Sequence, residues 1–218
     1  WGNFGYEVYQ NNRRVLLGFF DDETWEMNEK VHFEFRKDPE TVLETAHFEY
    51  ISNFDLNEGQ LNELSVHSEK SFERILAFTG TQTPLPKFTH FLYPTTEQKG
   101  LILQNTEHAN VDFRTSVVHT VINDTYRDNF IGKENELVLR QILGRPKTIA
   151  LERGLAIYFT EKWQRKGWKY WASRLYGSDN ILPLSEILDE DILKNGSRYL
   201  TGCLAASFVD FLIEQFGK

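Results

Sequence analysis

His119 and Asn123 stand four positions apart in V-V-H-T-V-I-N-D-T-Y, from Val117 to Tyr126, and Glu152 and Arg153 are adjacent in L-E-R-G-L-A-I-Y-F, from Leu151 to Phe159. On a helix, residues four apart share a face, so an imidazole and an amide there reach one ion or one substrate group. A carboxylate from a second element adds a ligand or a proton acceptor. Val117, Val118, Val121 and Ile122 fall at helical spacing and predict a helix that buries one face. Its other face carries Ser116, His119, Thr120, Asn123 and Arg127.

These two segments resemble the active-site pair of the gluzincin zinc peptidases, the superfamily of thermolysin and the large aminopeptidases. In that family one helix carries H-E-x-x-H, two zinc-binding histidines with a glutamate as general base, and a second helix supplies a glutamate ligand. The first segment reads His119-Thr120-Val121-Ile122-Asn123, which keeps the first histidine and lacks the base and the second. The second resembles the family's x-E-G-x-A-x-Y-F: Gly154, Ala156, Tyr158 and Phe159 are kept, and Arg153 stands where the ligand glutamate would be.

The resemblance implies a scaffold without its chemistry. An amide is a poor zinc ligand, and Thr120 cannot accept a proton at neutral pH as a glutamate does. A guanidinium about 4 Å from a zinc ion would be repelled by about 8 kcal/mol at an effective dielectric of 20, and arginine does not deprotonate to relieve it. Arg153 is therefore expected to fill the metal's place, paired with Glu152, Asp124 or another acid. The enzymatic alternative is a slipped register in which Glu152 joins His119, and Asp124 or His108, as a variant zinc site. The vestigial cleft is thus His119, Thr120, Asn123, Glu152 and Arg153, with no catalytic residue and no cofactor expected. Zinc enters only in the alternative.

The elements that would position these residues read as α+β. Residues 1–40 form a β-rich appendage, with a hairpin around Gln10-Asn11-Asn12-Arg13 and a strand at Val31–Arg36. Residues 45–218 carry the peptidase-like resemblance: a mixed sheet layer with helices, then a helical C-terminal layer, as in a zincin-like fold. Strands are expected at His47–Phe54, Lys87–Tyr93 and Thr106–Arg114. Asn57 with Gln60 predicts a capped helix ending at Gly80. Further helices are expected at Thr95–Gln104, Asn135–Leu143 and Thr148–Trp163, and Ser197–Gly217 closes the fold. His32, His47, His67 and His90 lack ligand spacing and read as surface or satisfied core residues.

Composition bounds the function. Thirty-two acidic residues against twenty-four basic ones give a net charge of −8, which opposes a general nucleic-acid binder. No apolar run is long enough to span a bilayer. The chain starts at Trp1, which leads to the expectation of a preceding leader or domain, export being one reading. Cys203 lies in an apolar stripe and is expected to be a buried structural thiol. Between Trp163 and Tyr176, aromatic rings alternate with Arg165, Lys166, Lys169 and Arg174. Packed rings with solvated cations are expected there, and anionic lipid, carbohydrate or nucleic acid are the functional alternatives. The function expected is an inactive peptidase-like domain that binds a peptide or protein segment or serves as a scaffold. The rivals are an active zinc peptidase and a structural module whose cleft is filled.

Overall fold

The computed structural model describes residues 5–10, 13–20, 27–28, 39–52, 54–124, 132–160, 163–178, 181–195 and 198–217. The strand expected at Val31–Arg36 lies outside them. At the N-terminal end β1 (Gly5–Gln10), β2 (Arg13–Phe20) and β3 (Met27–Asn28) form an antiparallel sheet in that order, which includes the expected hairpin.

A second, five-stranded sheet follows. Its strands are β4 (Glu40–Glu44) and β5 (Phe48–Ser52), then β6 (Phe88–Tyr93) after helix α1 (Glu58–Thr79). Helix α2 (Thr96–Leu103) precedes β7 (Ala109–Asp112) and β8 (Val117–Val121). The strand order is β4-β5-β6-β8-β7: the three central strands run parallel and each edge strand antiparallel to its neighbour. The molecule is mixed α+β.

Local chemistry sets the ends of α1. The Asn57 side chain accepts the Gln60 N–H at 3.1 Å, and Gly80, at φ 69°, donates its N–H to Leu76 in the left-handed C-terminal cap. Gln60 does not reach back to complete a capping box; its amide donates to Asp124 at 2.7 Å. Phe48, Tyr50, Phe88, Leu92 and Val118 project from one face of the sheet into a core with Leu61, Leu64, Phe72 and Ile75 of α1.

The C-terminal half is helical: α3 (Lys133–Leu143), α4 (Ile149–Tyr158), a 3-10 turn at Trp163–Arg165, α5 (Trp168–Gly177), α6 (Leu184–Ile187), α7 (Glu190–Asn195) and α8 (Arg198–Phe216). α3 supplies Leu137, Val138 and Leu139 to the sheet-side core, and α4 joins it through Ala156 and Phe159. A second cluster, centred on Ile157, Trp163, Trp168, Cys203 and Leu204, ties α4, α5 and α8 together. Cys203 is fully buried with its Sγ on the Leu200 carbonyl, and burial pushes the thiol up to about 11, so it is inert packing.

The segment from Val117 is a strand over Val117–Val121, not a helix. Four of its five residues are β-branched, which favours the pleated conformation, and the four apolar positions that fit helical spacing fit a short buried strand as well. Residues 125–131 lie outside the described residues.

α4 and α8 approach closely because Gly154 has no side chain. A Cβ there would stand 2.5 Å from the Ala205 carbonyl oxygen and 2.8 Å from its carbon, backbone atoms that cannot swing away. Gly154→Ala is expected to lower stability by about 1–3 kcal/mol, measured as an earlier urea midpoint at unchanged slope. An unchanged midpoint would mean that the two helices are not in contact at this point.

Candidate functional site

The five residues singled out in the sequence occupy two places. His119 and Thr120 lie on β8, with Asn123 just beyond it. With β8 ending at Val121, the helical face on which His119 and Asn123 would share an ion does not form. His119 Nδ1 instead pairs with the Tyr93 hydroxyl at 3.0 Å, beside the Phe91 ring, and the Asn123 amide donates to the Pro94 carbonyl at 2.8 Å. Burial, then the nearby Lys99, holds His119 down to about 4, so it is neutral at pH 7. Lys99 is itself enclosed, donating to the Asn105 carbonyl and side chain and to the Glu107 carbonyl.

Glu152 and Arg153 lie on α4. Glu152 faces α3 and forms a two-pronged ion pair with Arg140, whose guanidinium also sits 3.5 Å above the Phe113 ring beyond the edge strand β7. Arg153 donates to the Leu193 carbonyl of α7. The two acids named as its partners are engaged by other residues: Glu152 by Arg140, and Asp124 by Gln60. A strand at 117–121 also removes the helical face on which a slipped register would set Glu152 beside His119. Among the described residues, no group of three or more His, Cys, Asp or Glu side chains is placed to hold a metal ion.

What the sequence reading passes over is the first turn of α3. Glu134, Asn135 and Glu136 are all buried there. The Asn135 amide donates to the Ala156 carbonyl at 2.9 Å and to the Thr160 hydroxyl at 3.2 Å, bonding α3 to α4. Gly132, at φ 68°, allows this approach, since a Cβ would stand 2.6 Å from Thr160 Oγ1 and 2.9 Å from the Ala156 carbonyl oxygen. Glu136 pairs with Lys133 at 2.5 Å. The signal in the chain is Glu134-Asn135-Glu136 directly before the apolar Leu137-Val138-Leu139.

Beside these residues a cavity of about 300 Å³ opens between α3, α4, α8 and the end of α1. Leu139 and Leu143 of α3, Leu151 and Leu155 of α4, and Leu212 and Ile213 of α8 line it, with Glu136, Arg140 and Glu152 at its polar margin. No protein-family model matches the chain, and no curated protein matches it in sequence.

Glu134 points the other way, toward α1 and the sheet, with Oε1 3.9 Å from His67 Nε2. Burial raises its carboxyl to about 7; neighbouring Glu136 adds to the rise and Lys133 opposes it. The sign follows from linkage: the unfolded chain ionises near 4.5 while the fold holds the group neutral. Its stabilising contribution is complete below pH 4.5 and is lost as pH rises toward 7. His90, fully buried and held down to about 3, and His119 work oppositely, losing stability as pH falls below 6.5. Both are shared with a Glu134→Gln variant, so they cancel in the difference. Relative to that variant, wild type should lose roughly 3 kcal/mol of unfolding free energy between pH 4.5 and 8, read from urea titrations. A flat difference would place Glu134 in water.

Proposed function

We propose that residues 45–218 are a gluzincin-like scaffold whose metal site has been dismantled and which binds an apolar peptide or protein segment without cutting it. α3, not the segment at 117, takes the place of the motif helix in this reading. It follows the strand pair β7 and β8 and packs on both β7 and α4. The H-E-x-x-H positions then hold Asn135, Glu136 and Leu139, and the third-ligand position holds Arg153. The observation that carries the reading is that none of these side chains is left for a metal. Asn135 is committed to α4 backbone and Thr160, Leu139 is 5% exposed in the core, Arg153 reaches α7 and Glu136 is held by Lys133.

The neighbouring space is open and apolar, which supports binding over a filled, purely structural cleft. Apolar cavities of this size take hydrophobic side chains, and the few polar groups at the rim orient them. Here the Arg140–Glu152 pair supplies that rim, with each charge compensated, so a neutral apolar segment fits better than a charged one.

If the scaffold is of this kind, restoring the ligands restores the metal. The triple variant Asn135→His, Leu139→His, Arg153→Glu should bind about one zinc per chain, and its cobalt form should show tetrahedral absorption bands. Wild type should show neither. A variant that keeps the helical circular dichroism of wild type and takes up no metal would sink the peptidase-like reading. The double variant without the Arg153 change provides the same check should the triple not fold, with weaker two-histidine binding expected.

A further inference from the structure

The sequence leads one to expect that the rings of Trp163 to Tyr176 pack inward, and only some do. Trp163 and Trp168 are buried at 2% and 6%, whereas Tyr170 is 43%, Trp171 38% and Tyr176 74% exposed. On α5 the residues Trp168, Ala172 and Leu175 turn to the core. Tyr170, Trp171 and Arg174, three and four residues apart, form one outward strip, with the Tyr170 and Trp171 rings in edge contact at 5.2 Å.

The charge of this stretch inverts that of the molecule. Residues 163–178 contain Arg165, Lys166, Lys169 and Arg174 and no acid, which is +4 in a chain of −8; the remainder therefore carries −12. Asp210 of α8 pairs with Lys169 at 3.0 Å and offsets one of these cations.

We infer that the outer face of α5 docks on an anionic membrane surface. Trp and Tyr rings are stable at the boundary between headgroups and acyl chains, and Lys and Arg beside them meet the lipid phosphates in the same layer. A nucleic acid would be held along its backbone by many cations, and this ten-residue helix, about 15 Å long, offers few, in a chain whose other residues sum to −12. No described helix is long and apolar enough to cross a membrane, so the contact is peripheral. The inference does not rest on the peptidase-like reading, because α5 lies apart from the α3 cavity lining.

The test is sedimentation with vesicles of phosphatidylcholine alone and of phosphatidylcholine with one third phosphatidylserine. Binding to the anionic vesicles should be at least tenfold stronger and should fall as salt is raised from 50 to 300 mM. Trp171→Ser with Tyr170→Ser should reduce it at least tenfold, as should Arg174→Glu, with circular dichroism unchanged because all three side chains are on the surface. Trp171→Phe should remove most of the blue shift in tryptophan emission that accompanies binding. Equal weak binding to both vesicle types, or binding that the α5 variants leave unchanged, overturns the inference. So does preferential binding of a single-stranded oligonucleotide over the vesicles.

Discussion

The helical layer depends on how closely α4 can lie against its neighbours. Gly154 brings its backbone onto α8 at Ala205, and Gly132 brings the start of α3 onto its Ala156 carbonyl and Thr160. Asn135 then bridges the α3–α4 gap with two hydrogen bonds. α1 fastens the same unit to the sheet layer: Ser71 and Arg74 both donate to the Phe159 carbonyl just past the end of α4, a favourable place for a cation. α4 is thus held on three sides, by α8, α3 and α1.

The electrostatics separate two polar regions on opposite sides of α3. On one side of α3, Glu134 faces His67 and the fully buried sheet residues Tyr50 and His90. That cluster is low in dielectric and disfavours charge, as the shifts of Glu134 and His90 indicate. On the other side, Glu136 and the Arg140–Glu152 pair line an apolar cavity, Glu136 being paired with Lys133. A perturbed carboxyl is commonly a sign of catalysis, but Glu134 faces packed rings and a histidine, and the cavity lies elsewhere.

Much of the framework was legible in the chain because it is set locally. Asn57 and Gly80 mark the ends of α1, and the strand expected at His47–Phe54 is found at Phe48–Ser52. The failure at Val117–Val121 came from a short apolar pattern that helix and strand share, where β-branching decides. The buried polar turn of α3, Glu134-Asn135-Glu136, holds no histidine or cysteine and so carries no ligand pattern in the sequence. The burial of Glu134 and the exposure of Tyr170, Trp171 and Tyr176 are set by which distant elements pack on α3 and α5, and periodicity holds no record of that.

The claim that this scaffold holds rather than cleaves is tested most directly by methyl NMR of the wild-type domain, titrated with a library of short apolar peptides in the presence of zinc. The account predicts saturable shifts confined to Leu139, Leu143, Leu151, Leu155, Leu212 and Ile213, with every peptide recovered intact. Cleaved peptide in the recovered sample, or saturation without any shift at these methyl groups, would contradict it.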